Sequence, residues 1–363
     1  MANRDFFISL NAFNRAKTLT QPSRGITVTH APLNPAEQPR RIVAQTRAHL
    51  SATLFDVREL RFAHARPEAD LPDYMRSASG IRRWQRYFAI VQDDVHAIGL
   101  LERDSGALES ILLPRGADGR RVFSDALGNK ALKMDLEACV VLADGRFVAF
   151  GSGSTPAREV VVIIRPDRSV RVVPASELYA QFHARRDFSG SELNLEGALV
   201  RGDTLRVFQR GNGAPLHELS PLNAFADMDV VDFVAWLDGK AGVPTLGPAT
   251  QVVLGKWDGV AFDFTDAALL PDGRIAFIAG AEDSPDAYQD GAIVGCRFGI
   301  LDGDKAWICD IFDENGARSM LKLEGIEFHQ TGADGSFEFL VVADMDDPTS
   351  PAPIARLRVM GAG

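Results

Sequence analysis

Glu137-Ala138-Cys139-Val140-Val141-Leu142-Ala143-Asp144-Gly145-Arg146-Phe147 is the stretch whose reading decides the fold. An acidic and a small residue lead into an apolar run, Asp-Gly turns the chain, and a second apolar run begins. Asp-Gly between apolar runs is a strong short-range hairpin signal, because glycine accepts the positive φ that tight turns need. The same pattern returns in Asp266-Ala267-Ala268-Leu269-Leu270-Pro271-Asp272-Gly273-Arg274-Ile275. Its opening step recurs in Ser79-Gly80-Ile81, Glu196-Gly197-Ala198 and Glu324-Gly325-Ile326, with spacings of 58, 59, 70 and 58 residues. One or two strand-like runs follow each hairpin, such as Val160–Ile164 and Val170–Val173. About four strands per unit predicts an all-β protein, a β-propeller with one blade per unit.

Five blades are expected over residues 59–363. Residues 1–58 then supply either a basic N-terminal extension or, starting at Arg24-Gly25-Ile26, a degenerate sixth blade. The last unit shows only three strands: Gly325–Phe328, Phe337–Ala343 and Ile354–Val359. An open ring would leave an exposed edge, so an N-terminal strand is expected to close it, and Leu60–Ala63 is the candidate. The 70-residue spacing marks an insertion. Asp229–Leu237 and Ser176–Arg185 carry helical patterns, the latter with Ser176 as its cap, and read as decorations between blades.

Composition narrows the function. Of 363 residues, 46% are apolar and 24% charged, which argues against wholesale disorder. With 39 Lys+Arg against 49 Asp+Glu the formal charge is −10, which argues against nucleic acid as a partner. The charge is uneven: residues 1–86 hold 14 basic and 7 acidic side chains, so an acidic body follows a basic leading segment. Arg40-Arg41 and Arg47 read as a short basic helix or a solvated face. Cys139, Cys296 and Cys309 form no CxxC pair, lie on apolar runs and read as core residues. No apolar run approaches the ~20 residues of a membrane span, and Phe6–Leu10 is too short for a signal-peptide core. No membrane partner and a cytoplasmic location are therefore expected.

Propeller geometry turns the repeat into a site. The first strand of each blade lines the central channel and returns through a hairpin, so strand-one starts and strand-two ends share one face. The starts carry Glu137, Glu196, Asp266 and Glu324. The ends carry Asp93 and Asp94, Ser152 and Ser154, Arg210 and Asn212, Glu282 and Asp283, and Asp344 and Asp346. Four carboxylates about one axis repel unless some hold protons, counter-ions such as Arg210 intervene, or a cation binds. Oxygen ligands without nearby Cys or paired His suit Ca²⁺ or Mg²⁺. The competing reading is architectural, with each carboxylate bonding backbone amides to hold the blades in register. No organic cofactor is expected.

Other signals are weaker. Gly151-Ser152-Gly153-Ser154-Thr155 has the makings of an anion cradle but lacks the Walker ending, and reads as a small-residue loop at a crowded channel. No Gly-x-Ser-x-Gly elbow is present. His217 and His329 show no ligand spacing. The acidic run Asp283–Gly291 is out of EF-hand register and reads as a solvated turn.

Asp135-Leu136-Glu137-Ala138, Gly151–Pro156, Asn194-Leu195-Glu196-Gly197-Ala198 and Gln209–Gly213 together resemble a bacterial β-propeller family of unknown function. Phe264–Ala268, Ala281-Glu282-Asp283 and Leu323-Glu324-Gly325-Ile326 fit the same pattern, over about residues 60–360. That family is similar in style to phytase-like and esterase-like propellers, which implies metal-assisted hydrolysis. Ser79 stands where the other units have a carboxylate, so the ring is asymmetric.

Two functions follow as expectations. One is a divalent-cation-dependent hydrolase of a small ester, lactone or phosphoester. In it Glu137, Glu196, Asp266 and Glu324 are ligands or base, and Arg210 and Asn212 orient the substrate. The other is a non-enzymatic propeller binding a small molecule or a protein at the same mouth.

Overall fold

The computed structural model describes residues 39–283 and 291–362. Five four-stranded antiparallel units are the five expected blades, with blades four and five joined into one continuous sheet. Blade one is Ala78–Trp84, Tyr87–Gln92, Ala97–Glu102 and Leu108–Leu112. Blade two is Leu136–Val141, Phe147–Gly151, Val160–Ile164 and Val170–Pro174. Blade three is Leu195–Arg201, Thr204–Gln209, Asn223–Asp229 and Thr250–Val253. Blade four is Asp263–Leu269, Ile275–Asp283, Ala292–Asp302 and Lys305–Asp313. Blade five takes Lys322–Thr331, Phe337–Asp344 and Pro353–Met360 from the end of the chain.

The fourth strand of blade five comes from the N-terminal side, as expected, but it is Ser51–Glu59 and not Leu60–Ala63. Ser51–Glu59 alternates a buried Ala52 and Leu54 with exposed residues, so it can lay one face on the core and leave the other in water. It also pairs in parallel with the outer strand of blade four, Ala52 against Ile311, which joins the two blades at their rims. Arg40–Val43 adds a parallel edge to blade three, and Gln45–Thr46 one to blade four. The Arg40–Arg47 stretch is therefore strand and not a short helix, while Arg40 and Arg41 are exposed as the solvated-face reading expected. Residues 40–59 build blade edges rather than a sixth blade; Arg24-Gly25-Ile26 lies outside the described residues.

The hairpins form as their residues dictate. Gly145 and Gly273 take φ of 83° and 85°, and Asp144 and Asp272 accept from the backbone N–H of Arg146 and Arg274. Between blades the core is aromatic: Phe264 meets Phe208 and Phe277 edge-on, with centroids 5.4 and 5.1 Å apart. Such pairs add about 0.5–1.5 kcal/mol beyond the area they bury.

Both expected helices exist. Val230–Leu237 starts at Asp229, whose carboxylate accepts from the N–H of Val231 and Asp232, and buries Phe233 and Leu237. Ser176–Ala184 buries Leu178, Tyr179 and Phe182 against blades two and three, but Ser176 is its first residue and makes no cap bond. Among the described residues no helix is long and apolar enough to cross a membrane.

Candidate functional site

Each blade's first strand carries a β-bulge near its start. The pairing skips Ser79 in blade one, Glu137 in blade two, Glu196 in blade three, Thr265 in blade four and Glu324 in blade five. A bulge leaves one residue out of the ladder and re-aims its side chain. Here it presents Ser79, Glu137, Glu196 and Glu324 at the channel mouth. The register corrects the expected ring: Thr265, not Asp266, occupies the fourth position. Its hydroxyl donates to the Leu323 carbonyl at 2.7 Å.

Asp266 falls one step deeper, in line with Gly80, Ala138, Gly197 and Gly325. The strands come closest there: a Cβ on Gly325 would lie 3.0 Å from the Gly80 Cα, so a side chain fits in few blades. The carboxylate of Asp266 grips the Arg82 guanidinium through two bonds of 2.7 and 2.9 Å. Arg82 also donates to the carbonyls of Ile81, Ala198, Ala267 and Ile326. Arg82 thus plugs the channel with bonds to blades one, three, four and five, and Asp266 is its buried counter-ion rather than part of the mouth.

Above this plug lies a cavity of about 50 Å³. Glu137, Glu196 and Glu324 line it as expected, with Asp93, Arg210, Asn212 and Glu282 from the strand-two ends. Asp94 faces an adjoining hollow of about 180 Å³ and pairs with Arg76. The two spaces share Asp93, Lys130, Lys133 and Asp344. Ser152 and Ser154 serve the wall: the Ser152 hydroxyl donates to Asp135, and Arg158 donates to Ser154 Oγ at 2.8 Å. Their loop is packed, since a Cβ on Gly153 would lie 2.4 Å from the Tyr179 ring, which supports the small-residue-loop reading. Asp283 is exposed and not in the lining. Most of the acidic run after it, residues 284–290, lies outside the described residues.

The cations are the larger surprise. Lys133 sits between Asp93 and Asp135 at 2.5 and 2.6 Å, and Arg158 reaches Asp135 at 2.7 Å. Arg210 bonds Glu196 at 3.2 Å and Glu282 at 2.5 Å, with Glu324 at 3.7 Å. Lys322 bonds Asp346 at 2.7 Å and approaches Glu324 at 3.8 Å. Of these groups the sequence reading found only Arg210. A signal existed: Ser77, Asp135, Asn194, Asp263 and Lys322 each stand two residues before a bulge, so the repeat has a second polar column.

Seven carboxylates and five cationic side chains line the cavity, a surplus of two negative charges if all ionise. Burial, reinforced by neighbouring acids, pushes Glu137 well above the usual carboxyl range, and burial does the same to Glu324 despite Arg210 and Lys322. Protons on Glu137 and Glu324 would balance the surplus. Burial pushes Glu196 up to about 7, with Arg210 pulling the other way. Asp135 is held below the usual range although burial opposes its charge, because Lys133 and Arg158 flank it.

Three buried polar atoms about this mouth lack a hydrogen-bond partner among the described residues: Asp93 Oδ1, Arg210 Nε and Glu324 Oε2. Buried polar atoms are normally satisfied, so two acceptors and one donor around one cavity are open to a polar guest, water included. Carboxylate oxygens of Asp93, Asp135 and Glu137 also lie within 4.8 Å of one another, close enough to share a cation. The buried thiols, pushed up to about 12, take no part.

Among solved structures, a gluconolactonase from Xanthomonas campestris is similar at 13% identity and TM-score 0.36, over 86% of this chain and 98% of that one. A luciferin-regenerating enzyme gives 11% and 0.38 over 91% and 94%. The PQQ-bound aldose sugar dehydrogenase of Streptomyces coelicolor gives 11% and 0.40 over 87% and 100%. No curated protein matches the sequence. Residues 74–359, from just before blade one to the last strand of blade five, match the model of a family of unknown function, DUF6929, and the chain belongs to that family.

Proposed function

We propose that the channel mouth binds a small, oxygen-rich molecule and moves protons on it, as a hydrolase of a small ester, lactone or phosphoester. The observation that carries this reading is the mixed set of unpartnered atoms, Asp93 Oδ1, Arg210 Nε and Glu324 Oε2, around one cavity. A guest that both donates and accepts satisfies all three. The small cavity takes the reacting group, and the adjoining hollow takes the rest of the molecule.

Glu196 is suited to be the base. Asn194 and Arg210 both donate to its Oε1, at 2.7 and 3.2 Å, which fixes the carboxylate, and a pKa near 7 matches proton transfer at neutral pH. Glu137, whose pKa is raised first by burial and then by the Glu196 charge, is suited to be the acid. In the proposed step, water attacks the carbonyl or phosphoryl centre and gives its proton to Glu196. The bond to the leaving oxygen breaks, and that oxygen takes the proton of Glu137. Arg210 and Asn212 orient the substrate.

A second reading rests on the clustered oxygens of Asp93, Asp135 and Glu137. These would hold a Ca²⁺ or Mg²⁺ ion, with the metal polarising the scissile group. Lys133 already bridges two of the three, so the ion must share them.

The test is turnover of p-nitrophenyl acetate, δ-valerolactone and p-nitrophenyl phosphate, with and without Ca²⁺. The expected result is hydrolysis of at least one without added metal, with Glu196→Gln lowering kcat by about 100-fold or more. Turnover that depends on Ca²⁺ favours the second reading. No turnover, with no thermal shift from any of the three, overturns both.

A further inference from the structure

A larger cavity among the described residues lies away from the mouth. About 430 Å³ lies open between blade one and the closing blade five, a volume within the range of small-molecule sites. Its apolar wall is built from Leu60, Phe88, Leu101, Leu108, Leu340 and Ile354. The charged groups beside that wall are unevenly spent. Arg58 pairs with Asp56 and Arg61 with Glu59. Glu102 accepts from both the N–H and the hydroxyl of Ser105. Asp104 stands on the exposed turn. Arg356 approaches Glu338 at only 3.6 Å, and the Arg103 side chain has no partner among the described residues.

His329 reports the local field. Its Nδ1 is buried without a hydrogen-bond partner among the described residues, and its ring lies 6.2 Å from that of Phe88. Burial lowers its pKa first, then Arg356, Arg83 and Arg103 lower it further, and Glu338 opposes them. The lining as a whole balances four guanidinium groups with four carboxylates, so the positive charge is local, on Arg103 and the loosely paired Arg356, and the neutral imidazole adds an unused polar atom.

We propose that this inter-blade cavity binds a small amphipathic carboxylate. The apolar body lies on Phe88, Leu101, Leu108 and Leu340, and the carboxylate faces Arg103, Arg356 and His329. Two guanidinium groups beside an apolar floor favour the anion over a neutral or cationic molecule of the same shape, because it gains charge-assisted hydrogen bonds there.

The experiment is calorimetric titration of the full chain with octanoate, octanol and octylamine. One octanoate is expected per chain, with octylamine at least about tenfold weaker. Arg103→Ala, on an exposed turn, is expected to weaken octanoate about fivefold or more, and Leu108→Trp, which fills the cavity, to abolish binding. Three results would overturn the proposal: no saturable octanoate binding up to about 1 mM, equal binding of octylamine, or unchanged octanoate binding in both variants.

Discussion

Asp266 and Glu196 look alike in the sequence, each an acid before a small residue at the start of a blade, yet the fold gives them opposite tasks. Asp266 is committed to Arg82, and breaking a buried pair by removing one charge costs about 3–5 kcal/mol. Asp266→Asn should lower unfolding stability in urea by about that amount while leaving ligand binding at the mouth intact. Arg82→Lys should also destabilise, since an ammonium has three donors and no planar fork for the Asp266 carboxylate and the four carbonyls that Arg82 holds. Glu196 should instead make stability depend on pH. Its folded pKa, about 7, exceeds the ordinary carboxyl value near 4.5, so the folded state holds the proton more tightly than the unfolded chain. That stabilisation is full below about 4.5 and lost as pH rises through 7. Between pH 5 and 8 the melting temperature should fall less in Glu196→Gln than in the parent, as a calorimetric series would show. The three mouth glutamates were legible because a repeat marks them. The one-residue error at Asp266 came from matching residue type, whereas the bulge that sets register leaves no mark in composition.

The hairpins were legible because Asp-Gly needs only its neighbours to form, and the helix after Asp229 for the same reason. The closing strand was not, since Ser51–Glu59 is a strand only through partners nearly 300 residues away. Its nine residues include Arg58, Glu59 and Asp56 on the exposed side, and nothing local separates them from a loop. The apolar fragment Leu60–Ala63 therefore looked the better candidate. Ala52 and Leu54 belong to the core of blades four and five, so the strand supports both rims. Leu54→Asp should destabilise by about 3 kcal/mol or more, by placing a charge where an apolar side chain was buried. Removing residues 1–59 should abolish the cooperative melting transition, whereas removing 1–49 should keep it. Circular dichroism of the two truncations checks both.

For the whole molecule, the formal charge of −10 has a local counterpart in the two-charge surplus at the mouth. Arg82 closes the channel beneath that mouth, so a guest reaching the ring from this face meets a one-ended site. The surplus can be met by two protons or by one divalent cation, and the two solutions exclude each other by linkage. A cation held by Asp93, Asp135 and Glu137 must displace the proton from Glu137, because ligand carboxylates have to be ionised. If protons are the resident solution, as the acid–base reading requires, adding about 5 mM Ca²⁺ at pH 7 should release no measurable acid and leave the melting temperature unchanged, since a ligand bound to the folded state alone would raise it. In the metal reading the same addition releases the Glu137 proton and raises the melting temperature, and Glu137→Gln removes both effects. A pH-stat titration alongside a thermal melt separates the two. The arrangement of Lys133 and Arg158 weighs toward protons, because both already stand within ion-pair distance of Asp93 or Asp135, two of the three carboxylates that a metal would have to recruit.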